Sequence, residues 1–348
     1  MDQRLGITTS LIAVTDRLDR QCRTSAPPIR GVPPKFTHPL TPTLRRVDSL
    51  SAIVPATDGP ATLGECVEAI RSATATPEEL IVVDAPEGVG PAAARNIGAR
   101  RATGDLIVFV DSDVVVHEDA FERIRGAFLA DPALTAVFGS YDDNPGAEGL
   151  VSEFRNLLHH HVHQSAPGMA TTFWAGLGAV RRDAFLAVGG FDERSFRRPS
   201  IEDIELGMRL RDRGGRIVLD PLLQGKHLKR WTLGGMIRTD FAARGAPWVD
   251  LLLSRRSDST ALNLGWRHRM TAAASLALLV TGSRRRLSLS MALLVLVLML
   301  NHSFYRMLVR RRGPAFAAAA LPLHVVHHLV GLAAVPEGIR RYLRRRST

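Results

Sequence analysis

Cysteine is nearly absent from this chain of 348 residues, which contains Cys22 and Cys66 and no other. Two isolated cysteines without a C-x-x-C pair exclude a disulfide scaffold and a zinc site built from thiolates. The phosphate-binding patterns G-x-G-x-x-G and G-x-x-x-x-G-K-[ST] are missing as well. The sequence therefore gives no support to the usual dinucleotide-binding enzymes or P-loop enzymes.

Acidic residues are scarce only toward the C-terminus. Residues 252–348 contain sixteen arginines but two acids, Asp258 and Glu337, a net charge of +14. Since the whole chain carries +11, residues 1–251 carry −3, and a nucleic-acid partner is not expected. The arginines stand in runs between apolar stretches, which is typical of segments that face lipid headgroups beside membrane spans.

Two of these apolar stretches are candidates to cross a bilayer. Residues 287–305 are mostly Leu, Met, Val and Ala, and residues 314–335 form a weaker candidate that contains three histidines and Pro322. About 20 apolar residues are needed for a helical span. The sequence predicts a membrane-associated region over residues 254–348, with about two transmembrane helices and a basic tail. The alternative is a set of buried helices in a soluble domain.

The rest of the chain divides into two parts. Residues 23–44 contain six prolines, which predicts that residues 1–47 form an extended, largely disordered segment. Residues 48–253 contain continuous apolar strands that alternate with helices. This pattern predicts an α/β domain whose mostly parallel, Rossmann-like sheet carries helices on both faces. The predicted strands are residues 50–55, 80–84, 106–110 and 134–138.

Carboxylates follow three of these strands. In a parallel sheet, ligands bind at the carboxyl ends of the strands, where the sequence places residues 55–58, Asp84 and residues 111–113. Asp111 and Asp113 are separated by one small residue, and paired carboxylates of this kind suit Mn²⁺ or Mg²⁺ shared with a diphosphate. A turn cap is the alternative for such a pair.

Several separate pieces of residues 48–250 resemble the family 2 glycosyltransferases of the GT-A fold. In the family's order they are Ile53-Val-Pro-Ala56, Ile81-Val-Val-Asp84, Ala94-Arg-Asn96, Phe109-Val-Asp-Ser-Asp113, Phe173-Trp-Ala-Gly176, Gly189-Gly-Phe-Asp192 and Ile201-Glu-Asp-Ile-Glu205. The resemblance implies transfer of a sugar from a nucleotide-diphosphate donor with inversion. A bound cation would stabilise the charge that develops on the leaving diphosphate.

The resemblance also implies roles for individual residues. Asp203, with its neighbour Glu202, would act as the general base toward an acceptor hydroxyl; otherwise the two acids only offset a helix dipole. The expected contacts of the donor are Pro55, Ala56, Asp58, Asp84, Arg95, Asp111 and Ser112. Asp84 is followed by Ala85-Pro86, where the family often has a second acid and then Gly-Ser, so the nucleotide base stays unassigned.

A further motif, His227-Leu-Lys-Arg-Trp231, resembles the Q-x-x-R-W motif of membrane-bound polysaccharide synthases, with His in place of Gln. This resemblance implies that His227 would be a third metal ligand beside Asp111 and Asp113. Arg230 and Trp231, together with Trp174 of the earlier motif, would contact the acceptor. The alternative is a basic loop against the membrane. The histidines of residues 159–163 lack a carboxylate or thiol partner, so we expect them to line the acceptor cleft or the membrane surface.

The leading hypothesis is an integral membrane glycosyltransferase that depends on Mn²⁺ or Mg²⁺. Its partners would be a nucleotide-diphosphate sugar, a glycan or lipid-linked acceptor, and membrane lipids. Its catalytic domain would face the cytoplasm, where nucleotide sugars are made. Transfer to a polyprenyl phosphate is the close alternative. A nucleotidyltransferase would usually carry a lysine in the loop after the first strand, and residues 55–60 contain none; a non-catalytic binding protein is the last alternative.

Overall fold

The structure is a computed structural model that describes residues 48–255 and 265–346. The predicted disordered segment 1–47 lies outside the described residues. The boundary at residues 253–254 between a catalytic domain and a membrane-associated region falls inside a helix that ends at Arg255.

Eight strands belong to one sheet. They are β1 Leu50–Pro55, β2 Glu79–Val83, β3 Leu106–Val110, β4 Val114–Val116, β5 Leu134–Tyr141, β6 Gly168–Ala170, β7 Leu177–Arg181 and β8 Arg216–His227. The helices of the same domain are α1 Leu63–Ser72, α2 Pro91–Arg101, α3 Ala120–Ala130, α4 Leu150–Gln164, α5 Arg182–Ala187, α6 Glu202–Asp212, α7 Leu233–Arg238, a π-helix Thr239–Gly245 and α8 Ala246–Arg255.

The sheet confirms the α/β GT-A prediction, with the order β2-β1-β3-β7-β5-β8-β4 and β6 paired to β8. Strands β2, β1 and β3 are parallel, as expected. The sheet as a whole is mixed, because β7 runs antiparallel to both β3 and β5, and β4 and β6 run antiparallel to β8. An apolar run reveals that a strand is buried but not its direction, so the sequence did not predict these antiparallel pairs.

The core lies on both faces of the sheet. All five residues of β3 are buried, and its alternate side chains enter two separate apolar clusters, one with Val108 and Phe121 and the other with Phe109 and Phe185. Full burial of side chains of this size is worth roughly 1.5–3 kcal/mol each relative to exposure. The carboxyl end of β3 is thereby held rigidly at the edge where Asp111 begins.

One glycine brings a distant helix to this edge. A Cβ added at Gly207 of α6 would lie 2.3 Å from the backbone nitrogen of Phe173. Only a glycine therefore allows α6 to pack this closely on the segment that precedes β7. This contact sets the position of Asp203, which lies one turn earlier on α6.

Three further helices complete the described chain: α9 Trp266–Ser283, α10 Leu287–Leu300 and α11 His302–Arg346. The non-helical backbone of Gly313, with φ of 85°, divides α11 into two helical parts. Phe304 and Leu308 of α11 pack with Phe154 and Leu157 of α4. The C-terminal helices are thus joined to the catalytic domain through an apolar contact.

The helix boundaries differ from those of the predicted spans. The stretch 287–305 is broken at Asn301, so α10 has 14 residues and is about 21 Å long, shorter than a bilayer core of about 30 Å. In the part of the chain that the structure describes, one helix, α11, is long and apolar enough to cross a membrane, and 28% of its most apolar window is buried.

Candidate active site

The loops after β1 and β2 form one edge of the site. Pro55 pairs with Val83 in the register of the two parallel strands, and the Ala56 amide donates to the Val83 carbonyl at 2.8 Å. Asp84, the residue after Val83, therefore lies beside Ala56. Asp58 and Asp84 are both exposed. Two exposed carboxylates at the carboxyl ends of parallel strands suit a nucleoside, although their contact with the donor stays a prediction.

The turn after β3 holds the metal-ligand candidates. Val114 of β4 is the register partner of His227 of β8, and the Leu228 amide donates to the Asp113 carbonyl at 2.8 Å. This pairing brings His227 Nε2 to 3.6 Å from Asp113 Oδ2. The structure thus brings together two of the three predicted ligands, and the third, Asp111, belongs to the same turn. Ser112 is fixed by its carbonyl, which accepts from the Thr62 hydroxyl at 2.8 Å.

The two carboxylates of this turn are held in different electrostatic surroundings. Burial raises the pKa of Asp111, and the opposing attraction of Arg95 does not fully cancel that effect. Burial also acts on Asp113, but the neighbouring His227 and Lys229 side chains outweigh it, so the pKa of Asp113 lies below its usual range. Asp113 is therefore the carboxylate that is ionised most easily in this turn.

The donor set fits a divalent cation that is shared with a substrate. Within residues 48–255 and 265–346, no group of three or more His, Cys, Asp or Glu side chains is assembled as a complete metal site. The side chains of Asp111 and Asp113 are 28% and 25% exposed, so both carboxylates are partly accessible to solvent. Mg²⁺ and Mn²⁺ sites of this kind use one or two carboxylates and take further ligands from a diphosphate and water.

Arg95 joins this turn to α6. Its Nη2 lies 2.6 Å from Asp111 Oδ1, and its Nη1 lies 3.0 Å from Glu202 Oε1. The second oxygen of Glu202 accepts from the Ser200 amide at 2.8 Å. Burial opposes the charge on Arg95, but the surrounding carboxylates raise its pKa above the usual range. The guanidinium is directed to two carboxylates, so its predicted contact with the donor phosphates remains a prediction.

Asp203, the predicted general base, is held by two backbone amides near the start of α6. Its Oδ2 accepts from the Ala175 amide at 3.2 Å, and its Oδ1 accepts from the Ile204 amide at 2.8 Å. Burial and the negative charge of Glu202 raise the pKa of Asp203 to about 6. A carboxylate with a pKa near the working pH is ionised at pH 7 and still accepts a proton readily. Glu202 is buried whereas Asp203 is half-buried, so Asp203 is the more accessible of the two acids.

An aromatic cluster lies beside the metal-ligand candidates. It consists of Tyr141, His159, His163, Trp174 and His227. The His227 ring stacks on Tyr141 with centroids 4.0 Å apart, and Trp174 meets Tyr141 edge-on at 4.9 Å. His159 lies 4.3 Å from Tyr141, and His163 Nδ1 is bonded to the Gly139 carbonyl at 2.9 Å. Tyr141 lies beyond the predicted end of the fourth strand at Phe138, although β5 continues to Tyr141, so the sequence did not predict its place in the site.

Trp231 lies where the catalytic domain meets the C-terminal helices. Its amide donates to the Ser152 hydroxyl of α4 at 2.9 Å. The Arg155 guanidinium and the Lys229 ammonium lie 5.5 Å and 4.9 Å from its ring, while Arg230 is exposed. Trp231 also packs against the cluster that contains Phe304. Its predicted contact with an acceptor is not tested by these distances.

Sequence comparison agrees with this geometry. Residues 82–189 match the model of a protein family described as Glycosyl transferase family 2. The chain is 31% identical over 192 residues to the pre-mycofactocin glycosyltransferase of Mycobacterium tuberculosis, a match that covers 53% of this chain and 39% of that protein. It is 28% identical over 167 residues to the poly-beta-1,6-N-acetyl-D-glucosamine synthase of Staphylococcus aureus, covering 45% of this chain and 39% of that protein.

Two solved structures are also similar to the chain. The mannosyltransferase PcManGT from Pyrobaculum calidifontis, in complex with GDP-Man and Mn²⁺, has a TM-score of 0.47 and 16% identity, and the match covers 96% of this chain and 95% of that one. GalNAc-T7 with UDP, GalNAc and Mn²⁺ has a TM-score of 0.43 and 14% identity over 60% of this chain and 48% of that one.

Three features define a GT-A domain of the glycosyltransferase class: the sheet, the family match, and the two acidic sites in the turn after β3 and at the start of α6. Within this domain, residues 82–189 match family 2 of these enzymes, the family that the motifs resemble. The chain spans about two-fifths of the length of the curated relatives that it matches.

Proposed function

We propose that the protein is a membrane-anchored, metal-dependent, inverting glycosyltransferase that moves a sugar from a nucleotide-diphosphate sugar to a hydroxyl acceptor. The observation that carries this proposal is the arrangement around Arg95. Its guanidinium joins Asp111 of the metal turn to Glu202, and the adjacent Asp203 has a pKa of about 6. These contacts support a proposal in which the site for the leaving diphosphate and the general base lie next to each other.

The turn after β3 and the start of α6 have different roles in the proposed reaction. Asp111, Asp113 and His227 would hold a divalent cation, which neutralises the negative charge of the leaving nucleoside diphosphate. Asp58 and Asp84 would contact the nucleoside. Asp203 removes the proton from the acceptor hydroxyl as its oxygen attacks the anomeric carbon from the face opposite the leaving group.

Arg95 positions the carboxylates of both sites through ion pairs. Its two ion pairs hold the carboxylates of Asp111 and Glu202 in fixed positions. The negative charge of Glu202 also raises the pKa of Asp203, although Arg95 lowers it. Glu202 therefore acts through its neighbour, by making Asp203 a stronger base than an ordinary aspartate.

Membrane anchoring is supported by apolar surface on the C-terminal helices. Leu287, Met291 and Met299 of α10 are 77%, 59% and 66% exposed, although the helix is almost entirely apolar. Exposed apolar surface of this extent, bounded by the arginines 284–286 and 310–312, suits a bilayer with its headgroups. We place the catalytic domain on the cytoplasmic side, where nucleotide sugars are made.

A panel of UDP-, GDP- and dTDP-sugars tests the proposal. We expect the purified full-length protein to hydrolyse one of these donors slowly in the presence of Mn²⁺ or Mg²⁺, and to lose that activity with EDTA. Asp111→Asn should abolish the hydrolysis, while Asp131→Asn, a carboxylate bound to Arg216 at the far end of the sheet, should retain it. No divalent-dependent hydrolysis of any donor would contradict the proposal.

The acceptor is tested with the donor that this panel selects. The relatives are named for different products, pre-mycofactocin and a polysaccharide, so they do not select an acceptor for this chain. Octyl glycosides offer a hydroxyl, and undecaprenyl phosphate offers a phosphate oxygen that is already deprotonated. We expect transfer to an octyl glycoside that depends on Asp203; transfer only to the lipid phosphate, independent of Asp203, would favour the polyprenyl-phosphate alternative.

A further inference from the structure

A buried ion pair lies outside the catalytic turns and has no part in the chemistry above. Asp240 of the π-helix is 2.6 Å from Arg155 of α4 and 2.8 Å from His327 of α11. The Asp240 side chain is 5% exposed and the Arg155 side chain 8%. Three elements that are far apart in the sequence therefore meet at one carboxylate, and π-helices are found most often at functional sites.

Each carboxylate oxygen of Asp240 has a partner. Oδ1 faces the Arg155 guanidinium, and Oδ2 accepts a hydrogen bond from His327 Nδ1. Burial opposes the charge on Asp240, but Arg155 and the His327 hydrogen bond lower its pKa to about 2, so the carboxylate is ionised. Loss of either partner leaves a buried charge without full compensation, and the neighbouring side chains must then rearrange.

Arg155 connects this carboxylate to Trp231. Its guanidinium lies over the indole ring at 5.5 Å, a cation–π distance. Ser152, on the same face of α4, accepts from the Trp231 amide at 2.9 Å and donates to the Trp231 carbonyl at 3.4 Å. Helix α4 thus holds Trp231 by its backbone and by its ring, and the ring contact depends on where Asp240 keeps the guanidinium.

His327 connects the same carboxylate to the C-terminal helices. It belongs to α11, the described helix that is long and apolar enough to cross a membrane. Its ring also lies 5.4 Å from His328 and 6.0 Å from His268 of α9. The position of His327 is therefore set by the packing of α11 and α9, and the Trp231 ring is linked to it through Asp240 and Arg155.

We propose that Asp240 is a positioning residue that fixes the Trp231 ring and makes its orientation depend on the docking of α11. Trp231 would be held for an acceptor only when the C-terminal helices are seated against the catalytic domain. The link to acceptor binding rests on the proposed function of Trp231. The claim that Asp240 fixes the orientation of the Trp231 ring rests on the observed contacts alone and is tested separately.

Tryptophan fluorescence tests the claim about the orientation of the Trp231 ring. The chain has four tryptophans, so Trp174→Phe, Trp248→Phe and Trp266→Phe leave Trp231 as the only emitter in the full-length protein in detergent. Because the ring would lose its fixed guanidinium, we expect Asp240→Asn, Arg155→Lys and His327→Ala to raise the acrylamide quenching constant by about twofold. His327→Asn, whose amide nitrogen replaces Nδ1, should keep the original constant.

The control is His302→Ala, an exposed histidine at the start of α11, which should change nothing. An unchanged constant in Asp240→Asn and His327→Ala would overturn the proposal, as would equal effects of His327→Ala and His327→Asn. If Asp240→Asn fails to fold, the quenching constants of His327→Ala, His327→Asn and Arg155→Lys still show whether the Trp231 ring depends on this ion pair.

Kinetics separates this inference from the proposed function. With the acceptor identified above, His327→Ala should raise the acceptor KM about tenfold, restored by His327→Asn, and leave donor hydrolysis within about twofold, because the contacts lie on the Trp231 side of the site. If Trp231→Ala does not affect transfer, the acceptor role of Trp231 is wrong, whatever the fluorescence shows. If Trp231→Ala impairs transfer and His327→Ala does not, the coupling to α11 is wrong.

Discussion

The imidazole of His227 lies flat on the phenol ring of Tyr141, with centroids 4.0 Å apart and planes inclined by 11°. The stack directs His227 Nε2 toward Asp113, at 3.6 Å. The orientation of a metal-ligand candidate is thus set by a residue that would not touch the metal. Such supporting contacts strengthen metal binding because they fix the ligand before the ion arrives.

Replacement of Tyr141 should therefore weaken the binding of Mn²⁺. We expect Tyr141→Leu to lower Mn²⁺-dependent nucleotide affinity about tenfold, which is the usual effect of losing a supporting contact. Tyr141→Phe keeps the ring and should bind as the unmodified protein does. Isothermal titration with Mn²⁺ and the nucleoside diphosphate measures both, and equal affinities for all three proteins would show that the stack has no such role.

The two aspartates after β3 should be individually essential for divalent-dependent binding. We expect Asp111→Ala and Asp113→Ala each to abolish the Mn²⁺-dependent part of nucleoside diphosphate binding in the same titration, because few protein ligands remain. Circular dichroism should show an intact fold. Asp131→Ala serves as the control from an ion pair at the other end of the sheet. Retained Mn²⁺-dependent binding in both variants would refute the assignment of this turn to the metal.

Removal of the carboxylate of Asp203 should slow transfer without affecting donor binding. Asp203→Asn is expected to reduce kcat by about 10²–10⁴-fold toward a hydroxyl acceptor, the usual contribution of a general base, while donor affinity stays near native. Asp212→Asn, on the same helix but with a side chain 66% exposed, is the control. Substantial turnover by Asp203→Asn would instead favour an acceptor that needs no base.

The pKa of Asp203 also predicts how activity and stability depend on pH. Because the base must be ionised, kcat/KM should fall below a pH of about 6. The folded-state pKa lies above the unfolded value, so the ionised side chain lowers the free energy of unfolding as the pH rises through 6. Asp203→Asn loses one of the two hydrogen bonds that Asp203 accepts from backbone amides, which lowers its Tm at every pH. The Tm of Asp203→Asn relative to that of the unmodified protein should therefore be higher at pH 8 than at pH 5. A Tm difference that is the same at both pH values would contradict this electrostatic account.

Association with membranes should depend on the exposed face of α10. We expect Leu287→Lys, Met291→Lys and Met299→Lys together to shift the protein from the carbonate-resistant membrane fraction toward the soluble fraction, because each buried charge opposes insertion. The control is Leu129→Lys with Leu222→Lys, which are 61% and 59% exposed in the catalytic domain and should leave the distribution unchanged. Recovery of the unmodified chain without detergent would show that no membrane is involved.

The sequence predicts best those parts of the fold that depend on local composition. Strand β3 has the predicted bounds, 106–110, because its five residues are apolar and end at Asp111. Strand β4 was missed, because three valines after a turn are too short a run to indicate a strand, and their partner His227 is far away in the sequence. Apolar content also gives no strand direction, so β7 was not expected to run antiparallel to β3.

In the candidate site, too, the sequence predicts local features but not contacts between distant elements. The motifs identified Asp111, Asp113 and Asp203 as single residues, but the link through Arg95 requires contacts between α2, β3 and α6 that no local pattern contains. Asp240 was not singled out for a similar reason. A lone aspartate in a polar stretch resembles any surface residue, and its burial results from the packing of α4 and α11 against it.

The bridge of Arg95 has a consequence for the charge balance of the site. Asp111, Asp113, Glu202 and Asp203 can contribute four negative charges. The bridge supplies one positive charge against them, and Lys229 near Asp113 supplies a second. A bare nucleoside diphosphate approaching this surplus is repelled, whereas a diphosphate that arrives with a divalent cation brings compensation with it. The site would therefore reject the free nucleotide and accept its cation complex, so that electrostatics selects the form of the donor before any contact recognises the sugar.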